Sequence, residues 1–194
     1  MLIGLMGKSG SGKSLISKLL KELDDGIQVI DIDKIGHESH RDFGVRTKLK
    51  KYFGAEIFEA DGSVNRKALG KIVFSDKAKM QLLYDATYTY MAERIDSMIS
   101  DSQITVLDYA LLPLTKYFER CDVKILVEAP QSVRCERVIA RDNISKEKYE
   151  VRDANSVDYT EYTFDYTIQN NSNEQHLRKV VGEIYEKSIV SGEL

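Results

Sequence analysis

The sequence predicts an α/β fold: a parallel sheet flanked by helices, with a helical substrate-binding insertion and a lid. Three observations predict it. The apolar run MLIGLM passes directly into a glycine-rich loop and then into an amphipathic helical pattern. Later runs of strand character, IQVIDID, QITVLD and CDVKILVEAP, are separated by helical patterns. Between about residues 34 and 100 helical periodicity dominates. Alternation of strands with helices favours a doubly wound sheet, and the helical middle reads as an insertion between two of its strands.

Each element follows in order. MLIGLM is apolar at every position, as suits a first strand buried on both faces. LISKLLKEL places Leu15, Ile16, Leu19, Leu20 and Leu23 at helical spacing, and Asp24-Asp25-Gly26 ends that helix. IQVIDID reads as a second strand that carries Asp31 and Asp33 at its C-terminal end. The helical insertion, about 34–100, is interrupted by FGAEIFEADGSVNR, where Asp61-Gly62 signals a turn. QITVLDYALL returns to strand character and ends in Asp108, and CDVKILVEAP is a strand closed by Pro130. SVRCERVIARDN is a helix with Arg134, Arg137 and Arg141 at spacings of three and four, hence on one face. With the polar helical segment that follows, to about Val157, it forms the expected lid, about 130–157. FDYTIQNN is a short last strand, and EQHLRKVVGEIYEKSIV is a C-terminal amphipathic helix. No linker divides the chain, so 1–194 reads as one domain.

Composition narrows the function. A chain of 194 residues with 42% hydrophobic residues has enough apolar material for one core. The net charge is −3, which argues against a general nucleic-acid binder, since such proteins carry basic surfaces. No apolar run is long enough to cross a bilayer, and the first is too short for a signal peptide. Cys121 and Cys135 make no disulfide framework, which fits a reducing, cytoplasmic setting. His37, His40 and His176 form no metal pattern, and the first two read as ordinary helix-surface residues. The expected protein is a monomer or weak homo-oligomer without nucleic-acid or membrane partners.

The chemistry begins at the glycine loop. Gly7, Gly12, Lys13 and Ser14 satisfy G-x-x-x-x-G-K-[ST], the phosphate-binding pattern of P-loop NTPases, and they lie between a strand and a helix as that motif requires. Gly7, Lys8, Ser9, Gly10, Ser11, Gly12, Lys13, Ser14 and Leu15 therefore form the expected ATP cradle. Its backbone N–H groups and the helix dipole favour phosphate, Lys13 reaches the β- and γ-phosphates, and the Ser14 hydroxyl ligates Mg²⁺. Lys8 and Ser9 are loop filler, with Lys8 adding charge. Asp31 and Asp33 lie two apart in an apparent strand, which puts both on one side. Asp33 is favoured as the base that accepts a substrate hydroxyl proton, or as a metal-holding carboxylate, with Asp31 in support. A helix N-cap is the competing role for Asp33. Asp108 either orients water on Mg²⁺ or is a strand-end turn residue. Arg137 and Arg141 are expected to close over the phosphates, although a solvated basic face is the usual reading of such a cluster.

Taken together, MLIGLMGKSGSGKS, VIDIDKIGHE, FGAEIFEADGSVNRKALGKIVFSD, RCERVIARDNIS and FDYTIQNNSNEQHL resemble the dephospho-CoA kinase family. The resemblance spans nearly the whole chain, and DGSVNRKALGKIVF is its most discriminating segment. It implies a sheet core, a helical CoA-binding part and a lid. It also implies transfer of the γ-phosphoryl group of ATP, with Mg²⁺, to the ribose 3′-hydroxyl of dephospho-CoA. Asp33 would be the base, Arg66 would lie at the acceptor, and Asn170 would lie near the adenine. Arg66 has a bland alternative, pairing with a carboxylate such as Asp61. The chain departs from the family pattern at Lys8-Ser9, where Gly-Ile is usual, and at Ala110, where proline is usual. Other classes with the same loop are a kinase for a nucleoside or sugar and a nucleotide switch that transfers nothing. The guanine motif N-K-x-D of a GTPase switch is absent from the sequence.

Overall fold

The structure is a computed structural model that describes residues 1–74, 76–171 and 173–192. The chain divides into two compact units, one of residues 1–31 with 99–194 and one of residues 32–98.

The first unit is built on a five-stranded sheet. Its strands are β1 (Leu2–Met6), β2 (Gln28–Asp31), β3 (Thr105–Asp108), β4 (Val123–Glu128) and β5 (Tyr166–Gln169). All neighbouring pairs are parallel, in the order β2-β3-β1-β4-β5. Every residue of β1 is buried, as its uninterrupted apolar run requires. The strand next to β1 on this side is β3, not β2 as the chain order suggests. From β1 the chain goes to β2, which lies beyond β3 on one side of β1, and after β3 it crosses to β4 on the other side. The C-terminal end of β1 is thus the point where strand order reverses, the place where open α/β sheets bind ligands. Helices α1 (Lys13–Leu23) and α8 (Glu174–Ile184) cover the sheet. Ile16, Leu19 and Leu20 from α1 and Leu177, Val181 and Ile184 from α8 join Ile3, Leu5, Val106, Ile125 and Ile168 in one core. Beyond Ile184 the helix widens into a π-helical turn, Tyr185–Val190, a departure from the single α-helix expected.

Helices α6 (Gln131–Asp142) and α7 (Lys146–Ala154) follow β4. Asn143 ends α6 in the left-handed conformation at φ 50°, which asparagine tolerates better than most residues. The Ser145 side chain then caps α7 at the Lys148 N–H, 3.4 Å away.

The second unit is helical: α2 (Ile32–Ser39), α3 (Phe43–Phe53), α4 (Arg66–Val73) and α5 (Lys77–Met98). Its own core gathers Val45, Leu49 and Phe53 from α3, Leu69 and Val73 from α4, Ala86 from α5, and Ile57 from the turn between α3 and α4. Side-chain caps set two helix starts. Asp42 accepts from the Val45 N–H at 2.9 Å, and Asn65 accepts from the Ala68 N–H at 2.8 Å, each contributing about 1 kcal/mol. Residues 55–65 form a turn with a single bridge, Phe58 to Val64.

Candidate nucleotide-binding site

The glycine loop leaves β1 at Gly7 and ends where α1 begins. Its shape depends on residues without side chains. Gly7, Gly10 and Gly12 have φ of 149°, 82° and 101°, conformations that side chains rarely adopt. A Cβ on Gly7 would lie 2.3 Å from the Val127 carbonyl oxygen, and one on Gly12 would lie 1.9 Å from Asn170 Nδ2. The Ser11 N–H closes a turn onto the Lys8 carbonyl at 3.0 Å. Lys13 turns back across the loop, and its ammonium donates to the Gly7 carbonyl at 3.0 Å. Ser14, in the first turn of α1, is exposed, and Leu15 behind it is half-buried. Ser11 is fully buried, and its hydroxyl has no hydrogen-bond partner among the described residues. A buried hydroxyl left unpaired is costly, so a loop that keeps one is suited to a ligand that satisfies it.

Three residues from distant parts of the chain hold the loop from outside. Asn170, just past β5 and only 3% exposed, donates through Nδ2 to the Ser11 carbonyl at 2.7 Å. Arg137 donates to the Gly10 carbonyl at 3.2 Å, and Arg141 donates to the Ser9 hydroxyl at 3.2 Å. These contacts engage the Ser11 and Gly10 carbonyls and the Ser9 hydroxyl from outside the loop. The arginine face expected on α6 is split. Arg137 and Arg141 reach the loop, whereas Arg134 is buried and bonds Asp153 of α7 through two of its nitrogens. Burial pushes the Asp153 carboxyl up, but the Arg134 guanidinium outweighs it and holds the group below its usual range. The Lys8 charge adds, after Arg134, to lowering the Asp153 carboxyl.

The acidic residues are placed by the sheet. Asp31 ends β2 directly opposite Asp108, which ends β3, and Asp108 is in turn opposite Leu5 of β1. The Ser17 hydroxyl, one turn into α1, donates to Asp108 at 3.2 Å. The carboxylate is thereby held beside the helix that carries Lys13 and Ser14. Asp33 departs from its expected setting. Strand β2 stops at Asp31, and Asp33 is an exposed residue in the first turn of α2, so alternation along a strand does not pair it with Asp31. Nor is it a cap, because the helix already includes Ile32. An acidic residue in a first turn is still favoured by the helix dipole.

In the second unit Arg66 is exposed and opens α4. Asp61 accepts from the Ser63 N–H at 2.8 Å, and the cation that acts on it is Arg46, not Arg66. His40 is not an ordinary surface residue. Its Nδ1 is buried and has no partner among the described residues, and burial, then His37 and Arg66, push its pKa down to about 4. Composition gave no signal for this, since His40 looks like any polar residue at the end of a helical run.

The comparisons with known proteins agree with this geometry. Residues 1–176 match the family model for dephospho-CoA kinase. The dephospho-CoA kinase of Aquifex aeolicus is 32% identical over 191 residues, covering 95% of this chain and 96% of its own. Among solved structures, TT1252 from Thermus thermophilus superposes with a TM-score of 0.75 at 24% identity, over 95% of both chains. A dephospho-CoA kinase from Campylobacter jejuni does so with a TM-score of 0.60 at 19% identity, also over 95% of both chains. The two structural likenesses concern the fold alone. The family match over most of the chain, together with the relative from Aquifex, shows that this chain belongs to the dephospho-CoA kinase family.

Proposed function

We infer that the protein transfers the γ-phosphoryl group of ATP to the ribose 3′-hydroxyl of dephospho-CoA, giving coenzyme A. The family match over residues 1–176 carries this reading. The loop supports the donor side: a strand-to-helix glycine turn braced by Asn170 and Arg137, a lysine lying across it and a buried hydroxyl unpaired among the described residues suit a polyphosphate. A kinase for another small alcohol would need the same loop, but it would not explain the family match through the helical unit.

Lys13 leaves the Gly7 carbonyl for the β- and γ-phosphate oxygens. Arg137 and Arg141, both exposed on α6, stabilise charge on the phosphoryl group as it transfers. Asp33 accepts the proton of the attacking hydroxyl; in the chain it follows the acidic end of β2 by two residues. Arg66 binds the anionic acceptor, for which a guanidinium offers two parallel N–H donors. Asn170 orders the loop and belongs to the adenine side.

Mg²⁺ prefers hard oxygen ligands and keeps several waters, so it needs few protein donors. The Ser14 hydroxyl and the Asp108 carboxylate, with Asp33 as a further carboxylate, fit that requirement. When bound, the ion neutralises charge that develops on the phosphates. No described helix is long and apolar enough to cross a membrane. A cytoplasmic enzyme, monomeric or weakly associated, is in keeping with that.

The catalytic assignment is tested by Asp33→Asn. Loss of a positioned base typically costs ~10²–10⁴-fold, so kcat is expected to fall by that order while KM for ATP stays near wild type. A variant with wild-type kcat and a lower melting temperature would return Asp33 to a helix-stabilising role.

A further inference from the structure

We propose that Tyr159 is a positioning residue of the nucleotide site: its hydroxyl ties the start of the phosphate loop to the chain just beyond Asp108. The Tyr159 hydroxyl accepts from the Gly7 N–H at 3.2 Å and donates to the Ala110 carbonyl at 2.7 Å. One hydroxyl thus joins the two segments that carry the phosphate-binding glycines and the acidic strand end.

The tie acts on Lys13 through Gly7. The Gly7 carbonyl accepts from the Lys13 ammonium, and the Gly7 N–H donates to the Tyr159 hydroxyl. Both polar groups of this residue are therefore spoken for, one by the phosphate-binding lysine and the other by the tyrosine. Gly7 has no room for a side chain of its own, since a Cβ would meet the Val127 carbonyl. The restraint has to come from elsewhere in the chain.

Tyr159 is itself held. Its ring packs edge-on against Phe164, centroids 5.9 Å apart, and Phe164 packs edge-on against Phe118 at 6.0 Å. Asp158 accepts from the Thr160 N–H at 3.0 Å and from its hydroxyl at 2.8 Å, which fixes the turn that presents the tyrosine. Tyr159 follows α7, so the tie joins the return segment of the α6–α7 arm to the loop. A cavity of about 210 Å³, bordered by Lys8, Glu128, Arg134 and Tyr159, lies beside the ring. Without the hydroxyl, the Gly7 N–H loses its partner and the loop its tie to Ala110. Nucleotide binding must then order the loop as well as fill it.

The inference rests on the loop being the nucleotide site. The test is Tyr159→Phe, which keeps the ring and removes the hydroxyl, studied beside wild type and Phe164→Leu. Three quantities are read: Kd for Mg-ADP by calorimetry, KM for each substrate, and melting temperature. Tyr159→Phe is expected to raise Kd for ADP and KM for ATP by roughly fivefold to tenfold, the scale of one hydrogen bond, and to leave KM for dephospho-CoA unchanged. Phe164→Leu loosens the ring packing but keeps the hydroxyl, and is expected to lower the melting temperature with a clearly smaller rise. The proposal is overturned if Tyr159→Phe stays within twofold of wild type in both ADP and ATP measurements. An equal rise in Phe164→Leu overturns it as well, because the effect would then follow stability. Wild-type protein that binds no ADP would instead strike at the reading of the loop itself.

Discussion

At the scale of single residues, the loop is shaped as much by what lies behind it as by its own glycines. Gly12 stands at φ 101° with Asn170 Nδ2 where its Cβ would be, and Asn170 holds the Ser11 carbonyl. Two separate obstacles oppose a side chain at this position, left-handed backbone and a buried amide. Gly12→Ala is therefore expected to weaken ADP binding at least tenfold in calorimetry while the far-ultraviolet dichroism stays that of wild type. An alanine variant with native ADP affinity would mean that Asn170 moves aside at little cost, and that it does not brace the loop. The glycine spacing was legible in the sequence because the motif is local. The brace was not, because Asn170 lies 159 residues away and only the β4–β5 pairing brings it there. Asp33 shows the reverse failure. Its alternation with Asp31 looks like a strand, but β2 ends and α2 begins between them.

At the scale of elements, α6 and α7 are joined by the Arg134–Asp153 ion pair, whose side chains are 8% and 10% exposed. Removing one partner leaves an unmatched charge in a mostly dry place, and Asp153→Asn is expected to destabilise the protein by about 3 kcal/mol at pH 7. The pH dependence has a definite sign. Asp153 titrates below its unfolded value, so the stabilisation is complete above the ordinary carboxylate range and is lost as pH falls through the lower folded value. Thermal melts of wild type and Asp153→Asn between pH 7 and pH 3 are expected to converge toward the acid end. A gap that stays constant across that range would show that the carboxylate charge is not what holds α6 to α7. Periodicity puts Arg134, Arg137 and Arg141 on one face, but their surroundings differ: Arg134 is buried against Asp153, and Arg137 and Arg141 reach the glycine loop. It does not tell which of them has a carboxylate waiting on the next helix, and the polar segment carrying Asp153 gives no local sign of burial. The strands were legible for the opposite reason. A parallel strand buried on both faces is apolar throughout, and β1 stands out on that pattern alone, while β2 and β5 are four-residue strands with one buried residue each.

At the scale of the whole molecule, the chain is an α/β kinase core with a helical unit inserted between β2 and β3. The switch in strand order at β1 puts the glycine loop where open α/β sheets bind ligands, and the family to which the chain belongs supplies the acceptor. Sequence alone reached the order of elements, but not the order of strands. Chain order suggests β2 beside β1, and nothing local says that β3, seventy-odd residues later, comes between them. The central claim is that the protein transfers the γ-phosphoryl group of ATP, held at this loop, to the 3′-hydroxyl of dephospho-CoA, releasing ADP. The most direct measurement is product analysis after incubation of wild-type protein with ATP, Mg²⁺ and, in parallel, dephospho-CoA, adenosine or a simple sugar. Chromatography with mass and phosphorus-31 detection would identify which acceptor gains a phosphate and at which hydroxyl. Coenzyme A with a new 3′-phosphate, and no comparable product from adenosine or sugar, is the expected result. Robust phosphorylation of adenosine or sugar with none of dephospho-CoA would contradict it.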